Sequence, residues 1–121
     1  MNDPIAALAA RLRAFASERE WDRFHSPKNL ASALSVEAAE LLEHFQWLTE
    51  EESRHLSSDQ QEAVALEAAD VLLYLIQLSD KLGIDLMDAA ARKLEINRQK
   101  YPVDAARGTS RKYTALQQPR E

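Results

Sequence analysis

The chain has no cysteine and only two glycines among its 121 residues. Without cysteine it can form neither a disulfide framework nor a thiolate site. Two glycines are too few for Gly-rich phosphate loops, Rossmann turns or arrays of β-hairpins. The chain also lacks an apolar signal core at its N-terminus and any apolar run near the roughly 20 residues that cross a bilayer. We therefore expect a cytosolic, all-α protein with no membrane partner.

Charge is distributed unevenly along the chain. Residues 37–70 carry ten acidic side chains and one basic one, whereas residues 92–113 carry seven basic and two acidic ones. An acidic centre repels the phosphate backbone of a nucleic acid polymer, so we expect no such partner. An acidic centre combined with a basic end suits a metal-bound polyanion better.

Apolar periodicity predicts four helices, at about residues 4–20, 28–48, 59–82 and 85–100, with a short helix or turn after Thr49. The third helix is apolar nearly all round, and a chain of four helices covers only one side of it. We therefore expect a four-helix-bundle-like domain over residues 1–102 that is completed by oligomerisation. A basic tail over residues 103–121 follows. The first helix is expected to bury Ile5, Leu8, Leu12 and Phe15.

Four carboxylates interrupt the apolar patterns of the second and third predicted helices. They form the pairs Glu37-x-x-Glu40 and Glu67-x-x-Asp70. Like charges three residues apart share a helix face and repel, and a buried carboxylate costs several kcal/mol unless it is compensated. Glu40 lies eight residues before the predicted end of its helix and Glu67 about nine after the predicted start of its own, so a hairpin with two equal arms brings the pairs together.

An all-oxygen ligand set of this kind favours Mg²⁺, with Mn²⁺ as a possible substitute, over zinc or copper. The alternative is that each pair lies on an ordinary solvated helix face. On each of these helices the series that starts with the acids continues in steps of three, four and three residues. It reaches Trp47 on the second helix, and Tyr74 and Gln77 on the third. Aromatic residues beside a metal site are candidates to stack on a base, although for an isolated tryptophan such as Trp21 a core position is the alternative.

Five segments together identify a family resemblance. They are residues 21–30 (WDRFHSPKNL), 37–47 (EAAELLEHFQW), 67–75 (EAADVLLYL), 93–102 (KLEINRQKYP) and 110–114 (SRKYT). In this order the chain resembles the all-α nucleoside triphosphate pyrophosphohydrolases of the MazG-like superfamily, and within it the dCTP pyrophosphatase branch. The ExxE and ExxD pairs alone are moderately specific, whereas the combination of all five segments is strong.

The resemblance implies hydrolysis between the α- and β-phosphates of a nucleoside triphosphate, which gives a monophosphate and pyrophosphate. It implies Mg²⁺ bound by Glu37, Glu40, Glu67 and Asp70, with Glu37 or Glu40 as the general base. Which of the two takes the proton stays open. It also implies a homo-oligomer, a tetramer built as a dimer of dimers.

The remaining site residues are expected on the last helix, in the tail and around the aromatic side chains. Lys93, Asn97 and Tyr101 step by four along one helix face, a spacing that can address one ligand. The resemblance assigns them to the triphosphate and lets the tail close over it. The expected tail residues are Arg111, Lys112 and Tyr113, and the expected base-binding residues are Trp21, His25, Trp47 and Tyr74.

The chain departs from the pattern of the family that it resembles at one position. Relatives that prefer dCTP often place a histidine nine residues before the tryptophan that matches Trp21, and here that residue is Leu12. We expect a nucleotide-pool enzyme that hydrolyses dCTP or modified pyrimidine deoxynucleotides. The alternatives are the same chemistry on dUTP or oxidised purine nucleotides, and a non-catalytic helical interaction module.

Overall fold

The structure is a computed structural model that describes residues 3–112 and 114. These residues form helices and connecting turns without a strand, so the predicted all-α class is confirmed. No described helix is long and apolar enough to cross a membrane, and the cytosolic location stays a prediction. The helices are α1 (Pro4–Glu18), α2 (Pro27–Glu43), α3 (Glu50–Ser53), α4 (Ser58–Lys81), α5 (Leu86–Lys100) and α6 (Val103–Ala106), with a 3-10 turn over Asp22–Phe24.

Capping side chains set the starts of the helices. Asp3, Ser26 and Ser57 each accept a hydrogen bond from a backbone N–H in the first turn of α1, α2 and α4. The short helix α3 begins with the capping box predicted after Thr49, in which the Glu52 N–H donates to the Thr49 hydroxyl at 3.1 Å and the Thr49 N–H donates to the Glu52 carboxylate at 2.9 Å. These bonds satisfy N–H groups that have no partner inside the helix.

The predicted end of the second helix at residue 48 is wrong, because α2 ends at Glu43. The chain continues in tight turns, in which the Phe45 N–H donates to the Leu42 carbonyl and the Leu48 N–H to the Phe45 carbonyl, both at 2.9 Å. Phe45 and Leu48 are half-buried in these turns. Apolar residues therefore keep the helical spacing after the helix itself has ended. Trp47 therefore lies outside α2.

A first compact unit covers Met1–Asp85, and within it α1 and α2 both pack against α4. Leu30 of α2 and Ile76 of α4 are its most buried large side chains, each 1% exposed. Arg13 and Asp80 form an ion pair of 2.5 Å between α1 and α4. A second unit, Leu86–Glu121, contains α5 and α6. The predicted boundary between residues 102 and 103 stays a prediction, whereas α6 was not foreseen in the tail.

Large apolar side chains of the first unit lie at the surface of the single chain. Val36 and Leu42 of α2 are 56% and 62% exposed, and Leu66 and Leu72 of α4 are 62% and 40% exposed. Large apolar side chains that remain exposed on packed helices are candidates for contact with another chain. The exposure agrees with the expectation from the all-round apolar character of α4, and the oligomer itself stays a prediction.

Candidate active site

The end of α1 determines where Trp21 stands. The Trp21 N–H donates to the Ala16 carbonyl at 2.9 Å and the Glu20 N–H donates to the Ser17 carbonyl at 3.1 Å, which together make a Schellman motif. Glu20 occupies the position that usually holds glycine, with a φ of +54°. This left-handed residue turns the chain away from α1, so that Trp21 begins the 3-10 turn.

The 3-10 turn is held from two sides. Lys81 at the end of α4 forms an ion pair with Asp22, and its hydrogen bond and charge hold the pKa of the Asp22 carboxyl below its usual range. On the other side, the Asn29 side-chain N–H donates to the Phe24 carbonyl at 3.0 Å. These contacts fix the backbone between the two ring-bearing residues that flank the turn.

A cleft of about 390 Å³ opens between α1, the 3-10 turn and α4. Its lining is mostly apolar, with a polar side chain at intervals, and it includes three of the four predicted base-binding residues. The apolar lining residues are Leu8, Leu12, Phe15, Trp21 and Leu73, and the polar ones are Arg11, His25, Asp70, Tyr74 and Gln77.

The rings around Trp21 are arranged edge to face. The Trp21 and Phe15 centroids are 5.7 Å apart with an interplanar angle of 72°, and the Trp21 and His25 centroids are 6.4 Å apart with an angle of 68°. Trp21 remains 43% exposed, so its indole keeps free surface for a ligand. Phe15, which was expected in the core, is 45% exposed and serves as a wall of the cleft instead.

The four predicted metal-binding carboxylates meet where α2 packs against α4. Oxygen atoms of Glu37, Glu67 and Asp70 all lie within 4.8 Å of one another. Glu40 completes this carboxylate cluster, because its side chain interacts with those of both Glu37 and Glu67. Asp70 belongs to the cluster and to the cleft wall at the same time. The cluster and the cleft are therefore adjoining parts of one site.

Crowding of the carboxylates changes their proton affinity. The pKa of Glu37 is raised, first by a hydrogen bond with Glu40, then by burial and by the charges of Glu40 and Asp70. The pKa of Glu67 is raised to about 7, first by burial, then by a hydrogen bond with Glu40 and by the three neighbouring charges. Repulsion between the carboxylates and their desolvation both disfavour the charged forms.

The cluster has the properties of a divalent metal site. Oε2 of Glu37 is buried and has no hydrogen-bond partner among the described residues. None of the ion pairs formed by described residues includes Glu37, Glu40, Glu67 or Asp70. A buried carboxylate oxygen without a donor, beside three further carboxylates, fits a hard cation that prefers oxygen ligands.

The expected phosphate-binding residues lie in the second unit. On α5, Asn97 and Tyr101 are half-buried and Lys93 is exposed, and the Tyr101 N–H donates to the Asn97 carbonyl at 2.9 Å. Arg111 and Lys112 are exposed, whereas Tyr113 lies outside the described residues. Their role in binding phosphate stays a prediction.

Trp47 does not line the cleft described above and is 86% exposed, the largest exposure among the large apolar side chains described. Conversely, Arg11 and Gln77 line the cleft although neither was predicted as a site residue. Gln77 could have been found, since it follows Asp70 and Tyr74 at the same 3, 4, 3 spacing. Arg11 has no comparable signal, because an arginine on an amphipathic helix is usually solvated.

Three comparisons with known proteins each found similar chains. The model of the MazG-like family matches residues 32–116. A human protein named dCTP pyrophosphatase 1 is 47% identical over 117 residues, which cover 94% of this chain and 69% of that protein. Its bovine counterpart is 42% identical over 118 residues, covering 95% and 70%. A crystal structure of a pyrophosphatase from Archaeoglobus fulgidus is similar with a TM-score of 0.79 and 41% identity, over 84% of this chain and 95% of that one.

Proposed function

Since the chain belongs to the MazG-like family, we propose that it is a Mg²⁺-dependent nucleoside triphosphate pyrophosphohydrolase that clears dCTP, or a modified pyrimidine deoxynucleotide, from the nucleotide pool. The products are the nucleoside monophosphate and pyrophosphate. The observation that carries the proposal is the junction at Asp70, where a carboxylate cluster for metal adjoins an aromatic cleft for a base. The relatives named dCTP pyrophosphatase support the choice of substrate.

The carboxylate cluster forms the phosphate end of the site. Glu37, Glu40, Glu67 and Asp70 would hold Mg²⁺, which neutralises phosphate charge and lowers the pKa of a bound water. Glu37 or Glu40 accepts the proton of the attacking water, whose oxygen forms a bond to phosphorus as the bond between the α- and β-phosphates breaks.

The cleft forms the base end of the site. The exposed part of the Trp21 indole and the Tyr74 ring offer stacking surfaces, and stacking on an aromatic side chain contributes about 1–3 kcal/mol per base. Phe15 and His25 both make edge-to-face contacts with Trp21. Asp70 lines the cleft and belongs to the cluster, so the base end adjoins the phosphate end.

A second copy of the chain is proposed to cover the exposed apolar side chains of the first. The exposed apolar side chains of α2 and α4, and Trp47 in the turn after α2, need a cover that the single chain does not provide. We propose a homotetramer built from dimers, in which Trp47 contributes to base binding when it is covered. Lys93, Asn97, Tyr101, Arg111, Lys112 and Tyr113 are proposed to bind the triphosphate.

The test is a steady-state assay with Mg²⁺ and a panel of dCTP, dUTP, dTTP and an oxidised purine triphosphate. We expect pyrophosphate and monophosphate as the first products, with dCTP the best unmodified substrate. Glu40→Gln should abolish turnover, whereas the matched control Glu43→Gln, an exposed residue of the same helix, should keep it. Orthophosphate as the first product, or no turnover of any nucleotide, would reject the proposal.

One observation favours a second substrate class. Leu12 lines the cleft at the position where the resemblance implies a histidine in dCTP-preferring enzymes, and its side chain offers no hydrogen bond to a base. If dUTP or the oxidised purine triphosphate exceeds dCTP in kcat/KM, the same chemistry serves that nucleotide instead. If no nucleotide is turned over and calorimetry detects no Mg²⁺ binding at millimolar metal, the chain is a helical interaction module.

A further inference from the structure

Stacking alone does not select a base, because every base presents a π-face to an aromatic ring. Selection between a 4-aminopyrimidine and a 4-oxopyrimidine needs a polar group at the edge of the ring, since cytosine presents an N–H donor there and uracil an oxygen acceptor. The question for the cleft is therefore which of its side chains presents a hydrogen-bonding group to that edge. This inference rests on the proposed function and deepens it.

Four of the five polar lining residues are poorly placed for this task or already engaged. Asp70 belongs to the carboxylate cluster, and Arg11 is solvent-exposed. His25 packs edge to face with Trp21, and Tyr74 is assigned above to stacking on the base. Gln77 is the remaining one, and it is half-buried.

Gln77 lies where the cleft meets a second cavity. This second cavity measures about 320 Å³, and Leu12, His25 and Gln77 line both. Gln77 is half-buried between them. A ligand that fills the cleft therefore contacts the Gln77 side chain.

The orientation of the Gln77 amide is fixed by chemistry. Its Nε2 donates to the Leu73 carbonyl at 3.2 Å. Because a carbonyl oxygen can only accept, the nitrogen must face Leu73, and the amide cannot be flipped without losing this bond. Within the described part of the chain no donor is bonded to Oε1 of Gln77, so this oxygen is held in place as a free acceptor.

We propose that Gln77 is the specificity-determining residue for the base. Its Oε1 accepts a hydrogen bond from the exocyclic amine of a 4-aminopyrimidine. A 4-oxopyrimidine in the same position sets two acceptors against each other, which leaves both without a donor in a partly desolvated cleft. Leu12 on the facing helix supplies no hydrogen bond of its own, so the discrimination depends on the amide.

The test compares kcat/KM for dCTP and dUTP in the parent, in Gln77→Leu and in Gln77→Glu. The control is Gln61→Leu, the same change at an exposed position of the same helix. We expect the parent to prefer dCTP by about tenfold or more and Gln77→Leu to bring the ratio to within about threefold of one. Gln77→Glu keeps an acceptor and should keep the preference for dCTP, which a merely structural role of Gln77 would not predict.

A ratio that stays within twofold of the parent in Gln77→Leu, or a parent that prefers dUTP, would overturn the inference. Binding of dCMP and dUMP by calorimetry supplies a second measurement that needs no turnover. If the parent binds dCMP more tightly and Gln77→Leu does not, Gln77 selects the base even where no triphosphate is hydrolysed. In that case the proposed reaction fails and the specificity of the cleft stands, so the two failures are distinguishable.

Discussion

The carboxylate cluster and the aromatic cleft share Asp70, yet they are built on opposite principles. In the cluster, side chains oppose one another: the pKa of Glu67 is raised to about 7 and Oε2 of Glu37 is buried without a donor. In the cleft, neighbouring groups pack favourably, since Trp21 makes edge-to-face contacts with Phe15 and His25. The cluster is destabilised by its own charges, whereas the cleft is stabilised by its ring contacts. Mutations in the cluster should therefore act on kcat, whereas mutations in the cleft should act on KM.

The largest loss of activity among these variants is expected for Glu67→Gln. Loss of one metal ligand should lower kcat by about 1,000-fold, because metal-assisted charge stabilisation is worth several kcal/mol. The same change removes a repelling charge, so the thermal midpoint of the metal-free protein should rise. Enzyme assays and metal-free thermal melts measure both effects, with Glu62→Gln, an exposed residue of the same helix, as the control. A lower midpoint together with retained activity would show that the cluster is an ordinary structural element.

Protons and Mg²⁺ should compete for the carboxylate cluster. With the pKa of Glu67 at about 7, Mg²⁺ affinity should fall about tenfold between pH 8 and pH 6, because the ligand must lose its proton. Calorimetry at the two pH values measures this. Equal affinity at both would contradict a raised pKa in this cluster.

The same raised pKa fixes the sign of the pH dependence of stability. Between the ordinary value of 4.5 and about 7, the folded metal-free chain binds more protons than the unfolded chain. The contribution of Glu67 to the free energy of unfolding therefore falls as pH rises through this range. Addition of Mg²⁺ should restore stability more at pH 8 than at pH 6.

A change in the cleft should act on binding instead of chemistry. Trp21→Leu removes a stacking surface, and we expect KM for the preferred nucleotide to rise three- to tenfold with kcat within about twofold of the parent. Phe24→Leu is the matched control, since Phe24 is an exposed aromatic residue of the same turn that does not line the cleft. A fall in kcat with unchanged KM would place Trp21 in the chemical step and remove the distinction between the two regions.

The smallest effect is expected at Glu20, the left-handed residue that turns the chain toward Trp21. Glu20→Gly relieves the cost of a side chain at φ +54° and should raise the free energy of unfolding by about 0.5–1 kcal/mol. Chemical denaturation measures it. Glu18→Gly, at the last residue of α1, should instead destabilise. A loss of stability in Glu20→Gly would mean that the glutamate side chain, and not the backbone angle, maintains the cap.

The sequence was most informative where a residue type conflicts with its surroundings. Glu37 and Glu67 are predicted as metal ligands because like charges within an apolar pattern need compensation, and the structure brings the two side chains together. The reasoning about two equal arms was nevertheless wrong, since Glu40 lies three residues from the end of α2 and Glu67 nine from the start of α4. Packing of α2 against α4, and not the length of the arms, sets the meeting point.

Other features have no local signal in the sequence. α2 ends without glycine or proline, and the turns after Glu43 keep half-buried apolar residues at the spacing of a helix, so the position of Trp47 was not predictable from periodicity. The place of Arg11 in the cleft depends on how two helices and a turn pack, and such a cleft exists only once the elements are packed. The left-handed residue Glu20 at the end of α1 also has no signal in the sequence, because glutamate is a common helical residue.

The exposure of Trp47 has a spectroscopic consequence. The chain contains two tryptophans. Trp21 packs edge to face with two rings in the cleft, and Trp47 is 86% exposed in the turn after α2. Indole emission shifts to shorter wavelength as water is excluded, so any surface that covers Trp47 produces a blue shift, whereas a base stacked on Trp21 quenches its emission. Trp21→Phe and Trp47→Phe separate the two signals. The chain thus carries two intrinsic fluorophores, one for occupancy of the cleft and one for association.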